Sequence, residues 1–397
     1  MLKLKISNGV HWVGVMDPHL RIFDVIMPTE HGTTYNSYLI QGKKSTALVD
    51  TVKSKFTETF MDKLKGLIDP AELDYIILNH TEQDHTGALG TLLDAAPKAK
   101  LISSRNAVPL VKGILNREID VQAVGDGDEL DLGGKTLRFI EAPFLHWPDT
   151  MFTYLAEDRI LFPCDFLGCH FADDRMFDDL VDDFSYYFRF YYDHIIRPYK
   201  EHALKALDKI EGLPITTITP SHGPILRTDV GKWMEKYRSW SSFPGKNKVP
   251  CILIFVASAY GNTARMAESI ADGIRDGGCE ANILDLEGAD SSVFIDRIEA
   301  ADGIVVGSLT INGDAVKPVW DLLSSLATIK LRGKLAAAFG SYGWSGEAPR
   351  LIEERFKGLK LKVPFENVRV HMTPDEEDLA RCRELGANLA GALKSRG

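Results

Sequence analysis

The fold of the first half of this chain is decided by the stretch Tyr75-Ile76-Ile77-Leu78-Asn79-His80-Thr81-Glu82-Gln83-Asp84-His85. Its first four residues are apolar and predict a short buried strand. The residues that follow include four side chains that can ligate a metal ion: His80, Glu82, Asp84 and His85. These side chains can converge only if the backbone turns sharply after the strand, and we expect Gly87 to assist that turn.

Three more candidate ligands follow along the chain in similar settings: His146, Asp165 and His222. Each lies beyond a predicted strand and near proline or glycine, which is typical of functional loops. Any one of them alone is more often a solvated or core-capping residue. Because all seven candidates occur in this order, the sequence predicts a site for two metal ions.

Upstream of residue 241, the predicted strands follow one another like hairpins, with helices among and after them. The predicted strands are Val10–Val15, Tyr35–Ile40, Ser45–Asp50, Leu137–Glu141, Met151–Leu155 and Arg159–Phe162. The predicted helices are Lys55–Leu67, Gly87–Asp94 and one long helix over about Tyr186–Ile210. Such a mixture suits two sheets flanked by helices.

A polar segment with two prolines and a glycine, Ser241–Pro250, is the clearest linker. We therefore predict two domains, residues 1–248 and residues 249–397. In the second, predicted strands and helices alternate: Cys251–Ala257, Thr263–Asp276, Gly303–Gly307, Pro318–Leu326, Leu335–Gly340, Ala348–Lys357 and Asp375–Lys394. This alternation predicts an α/β fold with a doubly wound parallel sheet.

Three loops of the second domain would lie beyond the carboxyl ends of strands, where such sheets bind ligands. They are Ser258-Ala259-Tyr260-Gly261-Asn262-Thr263, Ser308-Leu309-Thr310-Ile311-Asn312 and Ser341-Tyr342-Gly343-Trp344-Ser345-Gly346. The first loop opens a helix, so its N–H groups and hydroxyls can hold a single phosphate. Neither G-x-G-x-x-G nor G-x-x-x-x-G-K-S/T occurs, which disfavours dinucleotides and nucleoside triphosphates. Trp344 offers a flat surface on which an aromatic ring can stack.

Composition narrows the class of protein further. A net charge of −10 argues against nucleic acid as a partner. No apolar run reaches membrane-spanning length and Met1–Ser7 lacks the apolar segment of a signal peptide, so we expect a cytoplasmic protein. The five cysteines are scattered and include no C-x-x-C pair, so we expect neither a disulfide framework nor a fused rubredoxin-like iron module.

The ligand pattern resembles the metallo-β-lactamase fold, an αββα sandwich whose usual motif is H-x-H-x-D-H followed by a later His, Asp and His. Glu82 stands at the second histidine position, and carboxylate-rich ligation favours iron over zinc. The loops of the second domain resemble those of flavodoxin, which binds FMN. Taken together, the chain resembles the A-type flavodiiron proteins, with a metallo-β-lactamase-like domain followed by a flavodoxin-like domain.

This resemblance implies a ligand set. His80, Glu82 and His146 would hold one iron, and Asp84, His85 and His222 would hold the other, with Asp165 bridging. It also implies that FMN passes electrons to the irons, which reduce oxygen to water or nitric oxide to nitrous oxide. A head-to-tail homodimer, or a dimer of such dimers, would bring one subunit's FMN beside the other's irons. The external electron donor would be a rubredoxin-like protein or a reduced deazaflavin.

The sequence departs from the family pattern in two places. Relatives often carry a pocket histidine in the segment around Arg21–Val25, where this chain has Asp24, whereas Tyr191 matches a pocket tyrosine of the family. Leu309 replaces a proline of the second flavin loop. The first departure leaves the preference between oxygen and nitric oxide open. Two other interpretations also stay open: a di-metal hydrolase with an accessory flavin domain, and a flavin electron carrier or redox sensor.

Overall fold

Residues 4–243, 245, 247–331 and 333–395 are described by the computed structural model of this chain. They belong to two units, Met1–Ser242 and Phe243–Gly397, which we describe separately. The division falls within the predicted linker, of which Pro244 and Lys246 lie outside the described residues. The domain ranges 1–248 and 249–397 stay predictions.

Sixteen strands of the first unit are described. In chain order they are β1 (Leu4–Ser7), β2 (Val10–Trp12), β3 (Val15–Asp17), β4 (Ile22–Phe23), β5 (Met27–Pro28), β6 (Thr33–Tyr35), β7 (Tyr38–Gln41), β8 (Thr46–Val49), β9 (Tyr75–Leu78), β10 (Lys100–Ser104), β11 (Val121–Val124), β12 (Glu129–Asp131), β13 (Thr136–Glu141), β14 (Met151–Leu155), β15 (Ile160–Phe162) and β16 (Thr217–Ile218). The predicted strands Val10–Val15 and Tyr35–Ile40 are each interrupted, and the other predicted strands match within a residue or two.

These strands build two main sheets. The first has the order β1-β2-β7-β8-β9-β10-β11, antiparallel as far as β8 and parallel from β8 to β11. The second has the order β12-β13-β14-β15-β16, with only the β15–β16 pair parallel. The parallel pairs matter because they bring the carboxyl ends of β8, β9 and β10 to one edge of the first sheet.

The alternation of buried side chains explains why helices cover this pair of sheets. In β9, Ile77 belongs to the core shared by the two sheets, whereas Ile76 and Leu78 face the core shared with helices. A strand that buries both faces reads as a continuous apolar run, as this one does. The helices are α1 (Thr57–Lys65), α2 (Gln83–Thr86), α3 (Leu89–Ala95), α4 (Ala107–Leu115), α5 (Ser185–Tyr191), α6 (Lys200–Ile210) and α7 (Val230–Ser241).

The single long helix predicted over Tyr186–Ile210 is wrong. The chain instead forms α5, a π-helical turn at Tyr192–Ile196, a 3₁₀ turn at Arg197–Tyr199 and then α6. Pro198 lies at the break. Because proline lacks the N–H group and its ring clashes with the preceding turn, an α-helix cannot continue through it undisturbed.

The second unit is a five-stranded parallel sheet between two layers of helices. The strands of this unit are β17 (Cys251–Ala257), β18 (Glu280–Asp285), β19 (Gly303–Ser308), β20 (Thr310–Ile311), β21 (Asp314–Ala315), β22 (Leu335–Tyr342) and β23 (Val368–His371), of which β20 and β21 form a separate antiparallel pair. Its helices are α8 (Asn262–Asp276), α9 (Ile295–Ala300), α10 (Lys317–Ser325), α11 (Ala348–Gly358) and α12 (Glu376–Lys394). The sheet order is β18-β17-β19-β22-β23, which confirms the predicted doubly wound parallel sheet.

Each face of β17 packs on a different layer. Leu253 and Phe255 join the core beneath α10 and α11, whereas Ile254 and Val256 join the core beneath α8 and α12. The outer strands β18 and β23 carry exposed polar residues and were not among the predicted strands. None of the helices in the described part of the chain combines the length and apolarity that crossing a bilayer requires.

Candidate di-metal site and flavin face

Four strands of the first unit end where the predicted metal ligands begin. His80 follows β9, His146 lies in the loop after β13, Asp165 follows β15 and His222 follows β16. Gly223 enables the last of these turns, since its φ is +78° and an added Cβ would lie 2.5 Å from the backbone oxygen of Cys169. The backbone therefore delivers ligands from separate elements to one place.

We expected Gly87 to assist a sharp turn of the backbone, and this reason for a glycine is wrong. Gly87 has helical dihedral angles, φ −62° and ψ −28°, and so does not supply a turn that only glycine can make. A Cβ at this position would instead lie 2.3 Å from the backbone nitrogen of Ser54. Glycine is needed here for close packing of two backbone segments.

The first ligand set converges on Glu82. Its Oε2 atom lies 3.0 Å from His146 Nε2 and 3.3 Å from His80 Nε2. The second set converges on Asp84, whose Oδ1 lies 3.2 Å from His85 Nε2 and whose Oδ2 lies 3.1 Å from His222 Nε2. Ligand atoms within each set lie no more than 4.8 Å apart. Such spacing allows one cation to contact every member of a set.

Asp165 stands between the two sets. Its Oδ2 atom lies 3.6 Å from His80 Nε2 and 3.7 Å from His146 Nε2. Its Oδ1 atom lies 3.2 Å from His85 Nε2 and 3.4 Å from His222 Nε2. One carboxylate oxygen thus faces each set, which is the geometry of a bridging ligand.

The pKa values of the ligand side chains show how this cluster balances its charges without metal ions. Burial opposes the ionisation of Glu82, but hydrogen bonds with His146 and His80 outweigh burial and lower the pKa of Glu82 to about 2. Burial likewise disfavours the charge on His85, but Asp84 and Asp165 outweigh it and raise the pKa of His85 to about 10. Protonated imidazoles thus provide the positive charge beside the carboxylates.

The cluster fits two cations. All four carboxylate oxygens of Asp84 and Asp165, and both ring nitrogens of His85, are buried and make no well-aligned hydrogen bond among the described residues, although His85 Nε2 lies 3.2 Å from each carboxylate. A buried polar atom without a well-aligned partner costs about 1–3 kcal/mol. Metal ions at the centres of the two sets would pair with most of these atoms. The mixed nitrogen and carboxylate donors suit iron.

Neighbouring groups hold the ligands in orientation. Asp149 Oδ2 lies 3.2 Å from His80 Nδ1 and accepts a 2.8 Å hydrogen bond from the backbone N–H of Thr81. His222 Nδ1 lies 2.6 Å from the carbonyl oxygen of Thr34. Each imidazole thereby presents its Nε2 to the metal position, as metal-ligating histidines require. Only the position of Asp149 close after His146 hinted at its role in the sequence.

The two predicted pocket residues lie near the second set. Asp24, in the β4–β5 hairpin, has its pKa raised by partial burial and by the charges of Glu82 and Asp84. The Tyr191 ring lies 6.2 Å from that of His222. Sequence reasoning missed His170, whose buried ring lies 4.9 Å from Tyr191 and whose Nδ1 is 2.9 Å from Thr33 Oγ1. Its pKa is well below the usual value because of burial and the charge of His222.

The three predicted flavin loops meet around one cavity of about 380 Å³ in the second unit. Its lining residues are Ser258, Ala259, Tyr260, Asn262, Thr263, Leu309, Thr310, Ile311, Ser341, Tyr342, Gly343, Trp344 and Met372. The predicted residues Gly261, Ser308, Asn312, Ser345 and Gly346 belong to the same loops but not to this lining. A volume above about 300 Å³ suits a cofactor site.

The cavity fits FMN at both ends of that molecule. At one end α8 begins after Gly261, which makes no side-chain cap; the N–H group of Ala264 donates to Ser258 Oγ at 3.2 Å, which leaves the N–H groups of Asn262 and Thr263 for a phosphate. At the other end of the cavity, Trp344 and Tyr260 are 86% and 93% exposed, so their rings are free to stack on a flavin. Buried Thr263 and Ser341 join the first and third loops through a 2.8 Å hydrogen bond between their hydroxyls. Met372, after β23, adds a fourth segment that the sequence did not indicate.

Comparison with known proteins agrees with this arrangement. Residues 33–223 match the family described as ODP family beta lactamase, and residues 254–386 match the flavodoxin family. Together with the sheets described above, these matches confirm the predicted fold class.

Similarity to individual proteins extends along the whole chain. The chain is 44% identical over 402 residues to a flavo-diiron protein of Clostridium acetobutylicum, covering 99% of this chain and 100% of that protein. It is 40% identical over 395 residues to a nitric oxide reductase of Moorella thermoacetica, covering 98% of each. Among solved structures, rubredoxin oxygen:oxidoreductase of Desulfovibrio gigas matches with a TM-score of 0.75 and 30% identity over 99% of both chains.

Proposed function

This chain belongs to the flavodiiron proteins, and we propose that it reduces molecular oxygen to water, nitric oxide to nitrous oxide, or both. It is an oxidoreductase whose cofactors are FMN and a pair of non-haem irons. The single observation that best supports this function is the position of Asp165, with one carboxylate oxygen toward each ligand set. Family membership sets aside the hydrolase and the passive electron carrier.

We assign one iron to His80, Glu82 and His146 and the other to Asp84, His85 and His222, with Asp165 bridging. Each iron then has four protein ligands, fewer than six, which leaves coordination positions for substrate. When bound, two ferrous ions and a reduced flavin supply the four electrons that turn one oxygen molecule into water. The ligand distances and the unpaired buried atoms support this assignment.

The protein's own residues then have three tasks. Asp149 and the carbonyl of Thr34 fix the orientation of two ligand imidazoles. Tyr191 and the neighbouring apolar rings keep bulk water from the second set, because Tyr191 is only 2% exposed. Asp24, an exposed carboxyl whose pKa is raised, is placed to carry protons toward the pocket. We place Asp24 and Tyr191 among the residues that serve catalysis.

In the second unit, the three loops beginning at Ser258, Ser308 and Ser341 would hold FMN, with its phosphate at the start of α8 and its ring beside Trp344. Residues 1–248 would form the di-iron domain and residues 249–397 the FMN domain. A protein of the rubredoxin kind, or a reduced deazaflavin, would supply electrons. A cytoplasmic location stays a prediction from the sequence.

The test of function is cofactor counting followed by parallel turnover. Purified protein should contain two irons and one FMN per chain. Chemically reduced, anaerobic protein should then consume oxygen, nitric oxide or both, and the ratio of the two rates gives the substrate preference. Protein with full cofactor content that consumes neither gas would contradict the proposal.

We further propose that the protein acts as a head-to-tail homodimer, alone or paired into a tetramer. Two inactive forms of the protein test this: Asp165→Ala, which should lack iron, and wild-type protein from which FMN has been removed. Mixed dimers of the two should recover activity, because one subunit still offers FMN and its partner still offers iron. Mixed dimers that form and stay inactive would show that electrons pass within a single chain.

A further inference from the structure

A run of oxidisable aromatic side chains leads from the metal pocket to the surface of the first unit. The Tyr191 ring lies 6.2 Å from the ring of the ligand His222. Tyr192 is the next residue in the chain, and its ring lies 5.0 Å from Tyr237 and 5.1 Å from Trp240. Tyr237 and Trp240 are themselves 5.9 Å apart. Each of these separations, and the single peptide unit that joins Tyr191 to Tyr192, is short enough for rapid electron tunnelling.

The run begins inside the protein and ends in solvent. The three tyrosine rings are buried, with at most 2% of each residue exposed, whereas Trp240 on the last turn of α7 is half-buried. The helix that carries Tyr191 widens into a π-helical turn at Tyr192–Ile196. Such turns are frequent at functional sites.

Packing alone does not explain why these rings carry hydroxyl groups. The Tyr237 hydroxyl is buried and lacks a hydrogen-bond partner among the described residues, with the backbone N–H of Leu167 nearby but outside hydrogen-bond geometry. An unpaired buried hydroxyl costs about 1–3 kcal/mol, which phenylalanine would avoid. The Tyr192 hydroxyl lies 3.0 Å from Ser241 Oγ. Tyrosine and tryptophan differ from phenylalanine in losing an electron readily.

The chemistry of the site supplies a reason for such residues, and here the inference rests on the proposed function. Reduction of oxygen to water takes four electrons. Oxygen that arrives while the flavin is oxidised finds only the two electrons of the ferrous ions. The pocket then remains two electrons short, and an oxidising centre is left beside its own histidine ligands.

We propose that Tyr191, Tyr192, Tyr237 and Trp240 form a protective electron path that makes up this deficit one electron at a time. In each event the pocket gains one electron and Trp240 finally loses it, while the tyrosines relay it and end unchanged. The oxidised indole releases its N–H proton to water and becomes a neutral radical. Two such events complete the four electrons, with protons for water drawn from solvent.

Repair requires a reductant, which by chemical class is a small soluble thiol. The thiol S–H bond breaks and the indole N–H bond re-forms, which restores Trp240 and leaves a thiyl radical. Two thiyl radicals combine into a disulfide. The Arg189 guanidinium lies 4.8 Å from the Trp240 ring and favours the neutral, deprotonated product over a radical cation.

Trp233, on the same helix, serves as the matched control. Its ring is buried, 7% exposed, and packs 4.9 Å from Phe184 and 4.7 Å from Phe188. Phenylalanine is not readily oxidised, so Trp233 stands outside the path. Lys236 lies 4.4 Å from this ring, so Trp233 matches Trp240 in having a cation beside its indole.

The experiment uses the full chain loaded with iron and FMN, with Trp240→Phe, Tyr192→Phe and Trp233→Phe beside the wild type. With excess electron donor, all four should consume oxygen at the same rate. With donor limiting and oxygen in excess, peptide mass spectrometry should find oxygen added to Trp240 in the wild type and in Trp233→Phe, and glutathione should suppress it. Trp240→Phe and Tyr192→Phe should lose iron several-fold faster, with oxidation appearing on the peptide of His222.

Failure of this inference is distinguishable from failure of the proposed function. If no protein consumes oxygen or nitric oxide with excess donor, the proposed function is wrong. If oxygen is consumed but Trp240 stays unmodified in the wild type, and Trp240→Phe keeps its iron as long as Trp233→Phe, the electron path is overturned. The wild-type mass spectrum decides the matter even if a variant folds poorly.

Discussion

The metal centre of the first unit and the flavin face of the second differ in how far folding alone completes them. His80 and Asp165 are 0% and 1% exposed, whereas Tyr260 and Trp344 are 93% and 86% exposed. Buried charges must find fixed partners when the chain folds, since leaving them unpaired in a low dielectric is costly. Exposed rings carry no such penalty. The metal centre is therefore pre-organised, and the flavin face becomes complete only with its cofactor.

The largest effect should follow loss of the bridge. Asp165→Ala removes a ligand from both irons at once, so we expect most of the iron to be lost and turnover to fall by more than the ~100-fold that loss of an outer partner can cost. Elemental analysis and gas consumption measure both effects, with FMN content unchanged. Asp62→Ala, at an exposed position of α1, is the control. Normal iron content and normal turnover in Asp165→Ala would show that Asp165 does not bridge the two irons.

A smaller effect should follow loss of orientation. Asp149→Asn keeps the side-chain size but weakens the contact that holds His80 at 3.2 Å. We expect the affinity for a divalent probe such as Co²⁺ to fall by about 10–100-fold. Competition with a chelator measures this affinity, and Asp62→Asn is the control. An unchanged affinity would show that the ligands need no such support.

Metal uptake should also depend on pH in a defined direction. The pKa of His85 is raised to about 10 in the metal-free protein, so a cation must displace its proton. Below that pH the proton competes, and affinity should rise with pH by up to about tenfold per unit for each proton displaced. Calorimetry of Co²⁺ binding in two buffers should show proton release. The ordinary pKa of histidine is about 6.5. A Co²⁺ affinity that stays constant from about that pH to about pH 9 would contradict the raised pKa of His85.

The smallest effect should come from the open flavin face. Trp344→Ala removes one stacking surface, a loss of roughly 0.5–1.5 kcal/mol beyond buried area, or about two- to twelvefold in the dissociation constant of FMN. Fluorescence titration of the flavin-free protein measures this change, and iron content should not move. Trp320→Phe on α10, away from the cavity lining, is the control. Equal loss of FMN in both variants would show general destabilisation in place of stacking.

The metal centre and the flavin face could be predicted from the sequence with unequal success. Strand-end placement indicated all seven candidate ligands, because an apolar run such as that of β9 is easily recognised. The edge strands β18 and β23 were not predicted, because their exposed polar residues hide the apolar pattern. The break at Pro198 was not predicted either, although a proline disrupts an α-helix whatever residues surround it.

Residues that no motif marks were harder to predict than the ligands. His170 lies only five residues after Asp165, but no spacing pattern indicates it, and only the folded chain shows that its ring lies 5.1 Å from that of His222. Met372 follows an unpredicted strand, so its place at the flavin cavity could not be expected. Conversely, Gly87 was identified correctly but for the wrong reason, since a close backbone approach leaves no trace in sequence spacing.

The central claim is that Asp165 joins two irons into one unit, and electron paramagnetic resonance of iron-loaded protein reduced by one electron per chain tests it most directly. Two irons sharing a carboxylate should give the signal of a spin-coupled, mixed-valent pair, and Asp165→Ala should abolish that signal. A wild-type spectrum of isolated ferric ions, in protein that holds two irons per chain, would contradict the bridge and with it the account of the site.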